Sequence, residues 1–378
     1  MRDVELATGA EPVSIVTRAG HGLWWSARFL VALFLFIGAL QLMKTGAATL
    51  DILQPGGFLV RNEGSTLGLG WLGALLVLSG SPIAASSLTL VAAGEEAAAS
   101  ATHFTEIQGF TMLTGSRLGA AFVVLVTAVV YALRGGKGNR RAPLSTAVTC
   151  LCTTALIYVP AAFLGLALLS WGTFHSLEVS SPAQFADLID LVYGDLIGLV
   201  RSWPAPLVFL GGLGVLLVAF RLIDTVLPTL GGRIMEGRRL DWLGRKWPMF
   251  AIGSAVALVT MSVSVALTVL VPLVAKNYVK RQNIIPYIMG ANITTLGDTM
   301  LAAFALDSPA AVRIVLAEVI ATSVLSIVLL TFFYPQLRDG IGRFQRLFIT
   351  SPARLTAFTG ALFLVPISTI VISGLLSS

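Results

Sequence analysis

Long apolar runs constrain this chain more than any motif. Continuous runs occur at 23–43, 108–133, 144–172, 203–227, 284–305, 310–335 and 354–377. A helix of roughly 20 such residues crosses the hydrocarbon of a bilayer. Two more runs, 67–93 and 247–275, are apolar but interrupted by Gly, Ser, Thr and Pro. Apolar residues make up 56% of the 378, charged residues only 12%, and the mean hydropathy is +0.87. That charged share is about half the usual one for a soluble protein, and a soluble domain of this length has no means of hiding so much apolar surface. The expected fold class is an all-α polytopic membrane protein with no soluble catalytic domain.

Charge sets the expected topology. The net charge of +6 is modest, and it gathers in short loops rather than along one face, so a nucleic-acid partner is not expected. The basic loops are 134–141, 228–246, 276–283 and 336–354; the acidic ones are 94–107 and 172–202. If every apolar run crossed from a cytoplasmic N-terminus, 94–107 would fall inside and 134–141 outside, against the positive-inside rule. If 67–93 and 247–275 are instead re-entrant hairpins, all basic loops fall inside and both acidic loops outside. The same two runs carry the helix-breaking residues. Irregular backbone at membrane depth needs protein or a water-filled cavity around it, which makes a polar hairpin tip a candidate solute site.

The organisation expected from this is an N-terminal cytoplasmic tail at 1–22, a first repeat at 23–172 with its hairpin at 67–93, a second at 203–335 with its hairpin at 247–275, and an extra helix at 354–377. The first repeat starts inside and the second outside. Two inverted repeats, each with a re-entrant hairpin and a broken helix, are characteristic of secondary transporters. VLSGSPIAASSLTL in the first half faces VTMSVSVALTVLVPL in the second, and MLTGSRLGAA faces IMGANITTLG.

The stretch from Ile285 to Ala305, IPYIMGANITTLGDTMLAAFA, holds Gly290, Asn292, Thr294, Thr295, Gly297 and Asp298 inside an otherwise apolar helix. Gly loosens a helix and frees carbonyls, while Asn, Thr and Asp oxygens suit a hard cation. Asn292, Thr294, Thr295 and Asp298 are therefore the candidate ion ligands. The competing explanation is close helix packing through small residues, although intramembrane carboxylates default to function.

This block resembles the sodium/phosphate cotransporter family, whose repeats each pair a QSSS-type hairpin with a GANIGTT-like helix. Gly290-Ala291-Asn292-Ile293 matches the GANI core, with Ile285-Pro286 before it. Met261-Ser262-Val263-Ser264, followed by Leu270-Val271-Pro272-Leu273, takes the QSSS…LVPL position, and Leu78-Ser79-Gly80-Ser81 is its counterpart in the first half. The resemblance covers roughly 67–133 and 247–335. It implies a duplicated transport domain and nominates Ser79, Ser81, Ser262 and Ser264 for a phosphate-like anion, with Asn292 and Thr295 for sodium. Both glutamines are absent, replaced by Leu78 and Met261, and the middle serines by Gly80 and Val263.

In the first half, Gly115-Ser116-Arg117-Leu118-Gly119 stands where the family carries GANIG. Arg117 inside the membrane has three readings: a forked donor set for an oxyanion, a fixed charge in place of a bound sodium with Asp298 or Glu318 as counter-charge, or a snorkelling side chain. The expected function is secondary active, ion-coupled uptake of a small inorganic anion such as phosphate. Sodium or a proton is the coupling ion, the lipid bilayer is a further partner, and no further cofactor is expected. A non-transporting sensor or assembly protein on the same scaffold is the alternative.

No acid–base pair, P-loop or metal spacing marks an enzyme. His21, His103 and His175 are scattered, Cys150 and Cys152 lie in an apolar run, and Gly68-Leu69-Gly70-Trp71-Leu72-Gly73 fits GxGxxG without a preceding strand. A bacterial inner membrane is the expected location.

Overall fold

The computed structural model describes residues 15–47, 59–96, 104–134, 141–176, 183–226 and 245–376, and among them no strand occurs. The first half comprises α1 (Ile15–Ala47), α2 (Glu63–Val77), α3 (Ser81–Glu96), α4 (Glu106–Ala120), α5 (Phe122–Arg134), α6 (Arg141–Ser170), α7 (Ala183–Val200) and α8 (Ala205–Val226). The second comprises α9 (Lys246–Thr260), α10 (Val263–Thr268), α11 (Leu270–Ala275), α12 (Ile284–Thr294), α13 (Leu296–Ala305), α14 (Pro309–Phe332), α15 (Tyr334–Ile349) and α16 (Pro352–Leu376). Among the described residues six segments are long and apolar enough to cross a membrane: Ala27–Ala47, Glu106–Leu133, Arg141–Ser170, Ala205–Leu222, Pro309–Phe332 and Pro352–Leu375. Large apolar side chains cover their outward faces, Phe163 at 72% and Leu364 at 66% exposure among them, as a lipid-facing surface requires.

The run at 284–305 is not a seventh such helix. It is broken at Thr295 into α12 and α13, where Asn292, Thr294, Thr295 and Asp298 dilute the apolar stretch. The acidic segment expected as a polar loop at 172–202 also differs, because it contains α7. Tyr193 of α7 donates to the Phe34 carbonyl at 2.7 Å, and its ring lies 5.1 Å from that of Phe34. The basic segment at 336–354 is mostly the helix α15. In both cases an amphipathic helix with one polar face reads as a polar loop in one dimension. Among the described residues α1 starts at Ile15, inside the 1–22 tail. The basic loops at 134–141 and 228–246 lie for the most part outside the described residues.

Each interrupted run is a helix–turn–helix. Asn62 and Ser65 form a reciprocal capping box at the start of α2, with bonds of 2.9 and 3.0 Å. α2 then stops at Leu78, whose φ of 59° is left-handed, and α3 starts at Ser81. α9 likewise stops at Met261, φ 45°, and the Ser262 hydroxyl caps α10 by accepting from Val265 N–H at 3.3 Å. A left-handed non-glycine residue costs about 1–2 kcal/mol, so both tips carry backbone strain.

Hydrogen bonds between element ends show where each hairpin opens. Gln108 Nε2 donates to the Val60 carbonyl at 3.0 Å, Asn62 Nδ2 to Ser373 O at 2.8 Å, and Ala310 N–H to Glu95 Oε1 at 3.1 Å. The starts of α2, α4 and α14 and the ends of α3 and α16 therefore share one end of the bundle. At the other end, Lys246 Nζ donates to Leu330 O at 2.9 Å and Tyr334 Oη to Gln282 O at 3.2 Å, while Arg281 bonds Ser145. The α2–α3 hairpin thus leaves and returns at one end, and the α9–α11 hairpin at the opposite end.

Glycines let the hairpins seat. A Cβ on Gly115 would strike the Leu67 carbonyl of α2, and one on Gly290 the Phe250 carbonyl of α9. The Gly68, Gly70 and Gly73 run packs in the same way, against Pro366 and Ile370 of α16, Met112 of α4 and Ile83 of α3. These three are helical packing positions, not a nucleotide loop.

Candidate functional site

The two hairpin tips meet each other and the two helix breaks. Ser264 Oγ donates to the Leu78 carbonyl at 3.3 Å, joining one tip to the other. Gly80 packs against the Ser116 carbonyl and Ala120, where α4 gives way to α5. Met261 shares a void of about 20 Å³ with Asp298 and Leu301 of α13 and with Phe29, Leu33 and Phe36 of α1. That is room for about one water.

Charge is concentrated at this meeting point. Arg117, in the last turn of α4, is 1% exposed, Asp298 of α13 is 4% and Glu318 of α14 is 0%. Arg117 Nη2 bonds the Thr299 hydroxyl and lies 3.6 Å from Asp298 Oδ1; Thr299 Oγ1 donates to the same oxygen at 2.8 Å. Thr114, one turn before Arg117, donates to Glu318 Oε2 at 3.0 Å. With all three groups ionised the cluster carries one positive and two negative charges, so a further cation would neutralise it.

The pairing is incomplete. Among the described residues Arg117 Nε and Nη1, Asp298 Oδ2 and Glu318 Oε1 are buried without a hydrogen-bond partner, as are Trp71 Nε1 and Ser326 Oγ. Leaving a buried polar atom unpaired costs about 1–3 kcal/mol, and more when it is charged. A membrane protein that needed only packing would gain by replacing these residues with apolar ones. Two buried guanidinium nitrogens form an unfilled donor set, and two carboxylate oxygens an unfilled acceptor set.

The predicted ligands divide around this cluster. Asn292 is pinned to α6: its Nδ2 donates to Thr154 Oγ1 at 3.1 Å, and its carbonyl accepts from Tyr158 Oη at 2.8 Å. Thr295 Oγ1 donates to the same carbonyl at 3.2 Å. Thr294 is directed elsewhere, donating to Ser254 O of α9 at 2.9 Å in a helix–helix contact. Ser262 serves as a cap and Ser264 as the bridge between tips. Ser79 lies half-buried in the first tip and Ser81 is buried at the start of α3. Neither makes a side-chain hydrogen bond among the described residues.

Thr299, Thr114, Thr154 and Tyr158 were not legible as site residues. A lone Thr or Tyr in an apolar helix has no distinguishing pattern. The spacing Thr114/Arg117 on one side of a helix is a signal that points toward Thr114.

Glu95, which falls in the acidic loop expected at 94–107, instead closes the N-terminus of α14. It bonds the Ser308 hydroxyl and accepts from Ala310 N–H, with Arg313 alongside and paired to Glu106. An anion at a helix N-terminus is favourable. This tie joins α3 and α4 of the first half to α14 of the second.

The fold and these spans define a multi-pass, all-α membrane protein. No family model, curated protein or solved structure matches the chain.

Proposed function

We propose that this protein is a secondary active transporter that moves a small inorganic anion, phosphate or a close relative, by alternating access. Coupling is to sodium or a proton. The observation that carries this reading is the buried Arg117–Asp298–Glu318 cluster, with its unfilled donors and acceptors, between two strained hairpin tips that open at opposite ends.

In this reading Arg117 Nε and Nη1, with the hydroxyls of Ser79 and Ser81, receive the oxyanion. A forked guanidinium suits two oxygens of such an anion. Asp298 and Glu318 supply the negative charge that binds the coupling cation. Asn292 and Thr295 position α12 against α6 beside the break. Ser262 and Ser264 hold the second tip. The inverted relationship of the two halves and the cytoplasmic N-terminus belong to the same proposal, as does a bacterial inner membrane. The resemblance to the sodium/phosphate cotransporter family supports the choice of anion.

Thermal stability of the purified protein tests the binding half of this reading. Phosphate, sulfate and a small carboxylate are titrated with and without sodium. An anion-dependent rise that grows with sodium, or with acid pH for proton coupling, and that is absent in Arg117→Lys supports the proposal. Stabilisation without flux in reconstituted vesicles favours a non-transporting sensor on the same scaffold, the reading that the altered QSSS positions leave standing.

A further inference from the structure

Away from the buried cluster, at the end where α6 begins and α14 stops, lies an open cavity of about 1030 Å³. It is at the upper end of the ~300–1,000 Å³ typical of small-molecule sites. Among the described residues its wall carries Arg141, Lys280, Arg281, Arg338, Arg343 and Arg346 against a single carboxylate, Asp339. Asp339 is already engaged by Arg338 at 3.0 Å. Among the described residues Lys280, Arg343 and Arg346 make no side-chain hydrogen bond or ion pair.

The floor is polar and ordered. Gln345, 4% exposed, lies between Ser145 and Thr149, which are 0% and 2% exposed. Thr149 Oγ1 already donates its proton to Ser145 O at 2.9 Å, so Gln345 must present its amide nitrogen to Thr149 at 2.6 Å. Its oxygen then accepts from Arg281 Nε at 3.2 Å. That bond leaves Arg281 fixed against the floor. Burial, and then the charge of Arg346, lower the Arg281 pKa, a sign that like charges are crowded here.

Crowded cations on a preformed floor cost free energy unless an anion is present. We infer that this cavity binds a ligand bearing two or more phosphoryl groups, held by Lys280, Arg281, Arg343 and Arg346 over the Ser145–Thr149–Gln345 floor. A single phosphate would leave most of the volume and most of the charge unused. The shared chemistry has two sources, a soluble di- or polyphosphate and the headgroup of an anionic phospholipid such as a diphosphatidyl lipid. The site is separate from the Arg117 cluster and does not depend on the transport reading.

The test uses the full-length protein and the Arg343→Gln/Arg346→Gln double variant, in which both altered side chains are exposed. Delipidated protein in detergent is titrated with pyrophosphate, ATP and inorganic phosphate by calorimetry. In parallel, protein from vesicles with and without the diphosphatidyl lipid is weighed by native mass spectrometry. Pyrophosphate or ATP binding at least about tenfold tighter than phosphate, and weakened about tenfold in the double variant, supports a soluble ligand. Retention of the lipid by the wild type and its loss in the variant supports the lipid source. Equal binding by wild type and variant, or no binding of either kind at low ionic strength, overturns the inference. The Arg117→Lys variant, tested alongside, keeps this binding, so failure of the transport site and failure of this one are told apart.

Discussion

Arg117 is an arginine where the resembled family places an asparagine, and its surroundings state the cost of that choice. Its partner Asp298 is 3.6 Å away on another helix, and the two are almost wholly buried. Removing one member of a buried pair leaves the other charge unpaired, at about 3–5 kcal/mol. Arg117→Met and Asp298→Asn are each expected to destabilise by that order. The double variant should recover part of the loss, with a coupling energy of about 1–3 kcal/mol in a chemical-unfolding cycle. Strict additivity would mean that the two groups do not interact. The strained tips give a second residue-scale prediction. At Leu78 and Met261, φ 59° and 45°, valine is expected to cost about 1–3 kcal/mol. Glycine is expected to cost less than valine although it removes the whole side chain. The reverse order in melting temperature would show that side-chain packing, not backbone conformation, dominates at the tips.

At the scale of elements, the close contacts of α2 with α4 and of α9 with α12 rest on glycine. Gly290→Leu is expected to prevent α12 from seating on α9, seen as loss of the monodisperse peak in size-exclusion chromatography. Gly214→Leu on α8, where a Cβ meets nothing within 4 Å, should change stability by about 0.5 kcal/mol or less. Most of these elements are legible in the sequence because length and apolarity suffice to mark a spanning helix. The broken run at 284–305 is legible through Gly290, Asn292 and Asp298, which have no place in a uniformly apolar helix. Two helices are not legible as such, because α7 and α15 each combine an apolar face with a charged one and so resemble loops. Arg117 with Asp298 or Glu318 as counter-charge is legible because charged residues are rare at that depth. The hydroxyls that connect them, Thr114 and Thr299, are not, since threonine is common in helices of this kind. Thr294 shows the opposite case: it sits inside the motif but faces α9.

For the whole molecule, the described basic residues are in excess at one end. Lys246, Lys280, Arg281, Arg343 and Arg346 lie with the start of α6, whereas at the far end Glu63, Glu95 and Glu106 stand with Lys44, Arg61 and Arg313. The polar face of α6 runs inward from the basic end through Ser145, Thr149 and Thr153, to Thr154 at Asn292 and Tyr158. These hydroxyls are buried in a row between the basic end and Asn292. In a background with Cys150 and Cys152 replaced by alanine, single cysteines at Arg343 and Glu63 are expected to react with an impermeant maleimide from opposite faces of the membrane. The Arg343 position should be reached only from the cytoplasm. Labelling of both from one face would contradict the opposed openings of the hairpins.

The decisive experiment is uptake of labelled phosphate into proteoliposomes, with and without an inward sodium or proton gradient, for the wild type, Arg117→Lys and Asn292→Ala. Gradient-dependent uptake by the wild type is predicted, with a loss of about tenfold or more in Arg117→Lys, because lysine cannot reproduce the forked contact. Asn292→Ala is predicted to fall as well, since it frees α12 from Thr154. Wild-type uptake that persists undiminished in Arg117→Lys would contradict the placement of the anion at the buried cluster, and the absence of any gradient-dependent uptake would contradict the transport of phosphate itself.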